Sequence, residues 1–268
     1  MRSLIKNIFL STNLSFTRLR SVRFASSTSD AQKSEEELKN VEEIKKNIVV
    51  EKYGGVTTLN IDRQKTRNSL DEATLREMTE AINAFDKDAE AKVLVLNGEG
   101  GSFCSGFDLD EVEVKGYQNL LDAASRFLRR PLCDKPTIAA VTGYAVGEGF
   151  ELALACDLRV IEDTAVLGCL GRRFGAPQSL YGGRRLTSLI GLSRALDLLI
   201  TGRPISGTDA NAMGLAAKLT TTGTGLKIEP ETALNYLHKA GFKENLDVCV
   251  RHLLSKNMME LHLRSFGQ

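Results

Sequence analysis

The sequence predicts an α/β protein, on the rhythm of its apolar runs and on its size. AKVLVLNG (91–98) and TIAAVTGYAVGEG (137–149) read as buried strands, and the stretches between them carry helical patterns. Strand and helix in alternation imply a mainly parallel sheet with right-handed crossovers. At 268 residues, 42% apolar and 26% charged, the chain is long enough for one large core or two modest ones.

Residues 1–29 hold Arg2, Lys6, Arg18, Arg20 and Arg23 and no acidic residue before Asp30. Mixed with Leu, Ile, Phe, Ser and Thr, they have the composition of a mitochondrial presequence, cut between Arg23 and Asp30; a disordered basic tail is the plainer reading. The apolar run there is too short and interrupted to span a bilayer. Residues 30–46, dense in Glu and Lys, read as a charged linker or surface helix. Net charge is +1, and removal of the leader makes the remainder slightly acidic, which argues against a nucleic-acid partner.

The core is expected over 47–225. IVVEKYGGVTTLNIDR reads as a hairpin of two alternating strands about Gly54 and Gly55. Leu75, Met78, Ile82 and Phe85 repeat at helical spacing, with Asp71 or Thr74 as the cap. Residues 111–129 read as one helix, TIAAVTGYAV as one strand, and ELALACDLRVI as a helix leading to a strand. Residues 226–268 hold two further helical patterns after the polar connector TTTGTGLK.

Five cysteines, with no CxxC pair, suggest reduced thiols and no zinc knuckle. All three histidines follow residue 237, so a site in the core works with carboxylate, phenol, amine, thiol or water. No GxGxxG joins a strand to a helix and no GxxxxGK[ST] occurs, which removes the usual support for nucleotide sites. Glycine-rich breaks at 104–108 and 147–151 end apolar runs, where an open sheet exposes backbone to ligand. One N–H from each would make a two-donor oxyanion site, the second at a helix start; simple turns are the alternative.

Four stretches, LNIDRQKTRNSL (59–70), GGSFCSGFDLDEV (100–112), AAVTGYAVGEGFELALACDLRV (139–160) and GLSRALDLLITGRPISGTDANAMGLAAKL (191–219), resemble the crotonase superfamily of enoyl-CoA hydratases and isomerases. The resemblance implies a crotonase-like spiral of ββα units with C-terminal helices, assembled as a homotrimer or homohexamer. It implies an acyl-CoA thioester as substrate, with coenzyme A entering only as part of that substrate and neither metal nor further cofactor; the basic leader places the activity in the mitochondrial matrix. The oxyanion donors would be the N–H groups of Phe107 and Glu148, the latter where the family usually has Gly. Glu151 would be the catalytic glutamate. Its customary partner is replaced by Gly171, so the paired-carboxylate hydration mechanism is not available.

Among auxiliary groups, a shared-face role for the Glu148 carboxylate stays open, although its side chain is expected to point away from the site. Tyr181 is either a proton donor or a packed aromatic. Arg63, Arg67, Ser69, Cys104 and Gly106 would surround CoA by the same resemblance, with Arg63 and Arg67 equally readable as surface ion pairs. Leu75, Leu120, Leu121 and Phe127 line the acyl pocket or belong to the core. The nearest activity is enoyl-CoA hydratase; isomerase, decarboxylase and a catalytically reduced acyl-CoA-binding or partner-binding protein are the alternatives.

Overall fold

The computed structural model describes residues 46–128, 132–176 and 180–222. The leader, nearly all of the charged linker and the C-terminal helical segment lie outside those residues. A six-stranded sheet in the order β1 (Ile48–Tyr53), β2 (Val56–Ile61), β3 (Val93–Gly98), β4 (Thr137–Val141), β6 (Leu158–Glu162), β9 (Lys218–Thr220) and a three-stranded sheet in the order β5 (Tyr144–Val146), β7 (Val166–Gly168), β8 (Ile205–Ser206) carry the described residues.

The hairpin forms as its glycines predict: β1 (Ile48–Tyr53) pairs antiparallel with β2 (Val56–Ile61), and Gly54 turns at φ 58°. The alternation expected of both strands is absent from each: β1, at the sheet edge, is exposed beyond Ile48, and every residue of β2 is buried, because that strand is interior to the sheet with both faces covered. Helix α1 (Glu72–Lys87) follows, its first turn capped by Asp71, whose side chain accepts from the Thr74 N–H. It buries Leu75, Met78, Ile82 and Phe85, the residues that its periodicity singled out.

Strand β3 (Val93–Gly98) runs parallel to β2 and β4 (Thr137–Val141). Its Leu94 and Leu96 face the main core, which includes Leu59, Met78 and Ile82, while Val93 and Val95 join Val56 and Ile138 in a second buried cluster.

Two predicted elements are split by glycine. The helix expected over 111–129 is instead α2 (Leu109–Lys115) and α3 (Tyr117–Leu128), parted at Gly116 with φ 85°. The strand expected through TIAAVTGYAV is β4 and then β5 (Tyr144–Val146), which belong to different sheets. Gly143 makes the corner at φ 51°, and a Cβ there would lie 2.1 Å from the Gly101 carbonyl oxygen. A side chain cannot fit at that corner, and the chain changes sheet.

Helix α4 (Glu148–Ala155) leads to β6 (Leu158–Glu162) and β7 (Val166–Gly168). Helices α5 (Gly182–Ile190) and α6 (Leu192–Thr201), strand β8 (Ile205–Ser206), helix α7 (Gly207–Ala212) and strand β9 (Lys218–Thr220) complete the described chain. Strand β9 lies parallel to β6, and the buried Arg159 guanidinium donates to the carbonyls of Leu215 and Cys156, tying α4's end to the entry of β9.

One buried side chain sets the approach to the glycine-rich loop after β3. Asn68, with φ 59°, accepts from the Arg63 N–H through Oδ1 and donates through Nδ2 to the carbonyls of Glu99 and Ser102. Asn68→Ala is expected to lower stability by about 3 kcal/mol, since it orphans buried backbone groups and leaves alanine in left-handed backbone. The urea midpoint measures this; a loss below about 0.5 kcal/mol would contradict it.

Candidate active site

The loop 103–108 is laid between two neighbours by backbone hydrogen bonds. On one side Phe103 and Cys104 donate to Thr142 and Tyr144, and Val146 donates back to Cys104. On the other, Leu70 donates to Gly106, Asp108 to Leu70 and Ser105 to Arg67. Helix α4 starts against the same loop: a Cβ at Gly149 would lie 2.3 Å from the Cys104 carbonyl oxygen, so glycine permits the approach. Gly147, at φ 58°, turns β5 into α4.

Both glycine-rich breaks therefore meet, and Phe107 and Glu148 line one cavity. It is lined by apolar Phe107, Leu109, Val112, Val146, Leu170 and Phe174, with Tyr117 and Glu148 among its polar members, and has a volume of about 310 Å³. Gly171, in the 3-10 turn Leu170–Phe174, lies in the wall. A Cβ there would stand 2.8 Å from the Ala176 carbonyl oxygen. The backbone at Gly171 therefore leaves no room for a side chain unless the turn shifts.

The carboxylates do not point as expected. Glu148 turns its side chain inward: Oε2 accepts from the Phe107 N–H at 3.1 Å and Oε1 from the Tyr117 hydroxyl at 3.0 Å, with the residue 6% exposed. Glu151, wholly buried, turns to the start of α5, where its Oε2 accepts from the N–H groups of Leu180 and Gly182, both at 2.8 Å. The Gly182 N–H is a donor the helix leaves unsatisfied at its N-terminus, the Leu180 N–H lies just before the cap, and a carboxylate complements the dipole there. Glu151 does not line the cavity. Tyr181 sits between the two donors in left-handed backbone at φ 66°, with its ring about half exposed.

Tyr117 escaped the sequence reading. It opens α3, and its ring meets Phe107 edge-on at 5.6 Å between centroids. Its only local signal is the preceding Gly116; its distance from Glu148 along the chain hides the contact. Leu75, Leu120 and Leu121 lie in the main core and not in this cavity's lining, while the Phe127 side chain lies outside the described residues.

The residues expected around CoA divide. Arg63 is engaged by Asp71 at 2.8 Å, Asp108 at 3.0 Å and the Ser69 carbonyl and hydroxyl. Ser69 also donates to Asp108. Burial pushes the Asp108 carboxyl up, but the hydrogen bonds from Ser69 and Arg63 outweigh it and hold the group below the usual carboxylate range. Arg67 is exposed and lies over the Tyr144 ring, 4.8 Å from its centroid. Gly106, at φ 94°, and the backbone of Cys104 border the loop, and burial pushes the Cys104 thiol up to about 12, unsuited to nucleophilic work. Among the described residues, no group of three or more His, Cys, Asp or Glu is placed to hold a metal, and no helix is long and apolar enough to cross a membrane.

The sequence profile described as enoyl-CoA hydratase/isomerase matches residues 51–237. The chain belongs to the enoyl-CoA hydratase/isomerase family. It is a hydratase/isomerase-like, acyl-CoA-processing enzyme by that membership. It is 32% identical over 194 residues to a short-chain-enoyl-CoA hydratase of Clostridium acetobutylicum, covering 70% of this chain and 71% of that one. It is 36% identical over 172 residues to the human enoyl-CoA hydratase domain-containing protein 2, mitochondrial, covering 60% and 57%. The fold matches that of a Thermobifida fusca protein provisionally named enoyl-CoA hydratase and solved with acetoacetyl-CoA. That match has a TM-score of 0.66 and 26% identity, and covers 82% of this chain and 91% of that one.

Two outcomes test these assignments. Glu151→Ala is expected to cost about 2–4 kcal/mol in urea unfolding, because it strips two buried N–H groups of their acceptor; a change under about 0.5 kcal/mol would refute the helix-start role. Asp108 has its folded pKa depressed, so its stabilisation is full above the unfolded value of about 3.9 and is lost as pH falls through the folded value. Stability measured from pH 7 down to pH 2 should therefore fall less steeply at the acid end in Asp108→Asn, and parallel curves would contradict this.

Proposed function

We propose that this protein binds an acyl-CoA thioester at the cavity beside Phe107 and moves a proton at its α-carbon with one carboxylate, that of Glu148. Double-bond isomerisation is the reaction this favours over hydration. The observation that carries the reading is that, among the described residues, Glu148 is the carboxylate lining the cavity; Gly171, also in the wall, offers no second acid. Hydration asks for one group to activate water and another to manage the α-proton; isomerisation asks for one base that takes and returns a proton.

In this mechanism the thioester oxygen takes the N–H groups of Phe107 and Glu148. The Glu148 carboxylate removes a proton from C2 of a 3-enoyl-CoA. The C–H electron pair flows into the conjugated system, leaving an enolate oxygen on the two donors. The protonated Glu148 then delivers the same proton to C4, and the double bond comes to lie between C2 and C3. Tyr117, donating to Oε1, steadies the carboxylate for both transfers. Glu151 contributes at one remove, by fixing the start of α5.

Decarboxylation would use the same enolate site. A second reading, acyl-CoA binding without turnover, is favoured by the Phe107 N–H already being engaged by Glu148. The acid-free basic leader and the mitochondrial human relative support a matrix location. Self-association, as a trimer or a multiple of it, is supported by Leu192, Leu196 and Ile200, exposed at helical spacing along α6.

Incubation of a 3-enoyl-CoA with the protein in heavy water is the test. Formation of the 2-enoyl isomer, lost in Glu148→Ala and retained in part by Glu151→Gln, is the expected result. Loss in Glu151→Gln with Glu148→Ala still active would reverse the roles of the two glutamates. Tight thioester binding with neither isomerisation nor α-proton exchange would establish the second reading.

A further inference from the structure

In this fold the donor wanted by a thioester oxygen is already in use. Glu148 Oε2 accepts from the Phe107 N–H at 3.1 Å, and the side chain is fixed at its other oxygen by Tyr117 at 3.0 Å. Space for it is made by Gly106: a Cβ built there would lie 2.8 Å from that same Oε2. The carboxylate is therefore seated in the loop and not laid across it.

An ionised acceptor forms a stronger hydrogen bond to an amide than a neutral carbonyl does. The two oxygens also cannot both lie in line with one N–H. Resting on the acyl-CoA reading above, we propose that the Glu148 carboxylate is a built-in competitor for the Phe107 oxyanion donor, and that the thioester carbonyl must displace it to bind productively. What the carbonyl gains at Phe107 is offset by what the carboxylate gives up. The ground-state site consequently discriminates little between acyl-CoA thioesters and CoA derivatives without a carbonyl. Because Oε1 stays tethered to Tyr117, the displaced carboxylate is kept in the cavity, and freeing the donor and freeing the base are one movement. Glu148 then sets both the specificity of binding and the moment at which the base is released.

Calorimetric titration with butyryl-CoA and with its carbonyl-free thioether, S-butyl-CoA, separates these effects. Neither probe carries a double bond to migrate. In the unaltered protein the two Kd values should agree within about threefold, whereas in Glu148→Ala the thioester should bind at least about tenfold more tightly than the thioether. Glu148→Gln, which keeps the side chain's shape and loses its charge, should fall between them and carries the comparison if the alanine variant does not fold. The same ratio in the unaltered protein and in the variants would overturn the competition while leaving the acyl-CoA reading intact. No binding of either probe to any of the proteins would overturn the acyl-CoA reading, and the inference with it.

Discussion

Everything at the site depends on the backbone clamp that holds loop 103–108. Hydrogen bonds to Thr142, Tyr144 and Val146 on one flank and to Arg67 and Leu70 on the other leave the loop little freedom. Each bond adds only about 1 kcal/mol of net stability, but together they aim the Phe107 N–H without further reorganisation when a ligand arrives. The Arg63, Ser69, Asp71 and Asp108 cluster reinforces one flank, and the Gly149 approach to Cys104 reinforces the other.

Two glutamates three residues apart on α4 find quite different partners. A carboxylate buried without hydrogen-bond donors is costly, so each needs partners. Glu151 meets that need with the opening amides of α5, and Glu148 with the Phe107 amide and the Tyr117 phenol. The first arrangement joins two helices; the second puts a charge into a cavity otherwise walled largely by Phe, Leu and Val.

Much of this fold is legible in local pattern. The capped stripe of α1, the hairpin at Gly54 and the apolar β3 all form where periodicity and turn chemistry place them. The meeting of the two glycine-rich breaks is legible as well, once both end parallel strands. Less visible were the breaks at Gly116 and Gly143. A lone glycine within a helical or apolar run reads equally well as tolerated, and Gly143 is decided by a carbonyl at Gly101. The directions of Glu148 and Glu151 were not legible at all. Their donors lie 29 to 41 residues away in sequence, and Tyr117 lies 31 residues from Glu148. No helical spacing reports which distant amide is left without an acceptor.

The 3-10 turn around Gly171 limits how the cavity wall can be altered. The Ala176 carbonyl oxygen stands 2.8 Å from the place a first side-chain atom would take at Gly171. The Ala176 N–H is itself bonded to the Gly171 carbonyl, so neither residue can shift alone. A single substitution at Gly171 would therefore not add a usable carboxylate to the wall: the turn would have to be rebuilt first. Redesign of the cavity's acid–base character begins instead at Glu148 and Tyr117, whose side chains already meet there.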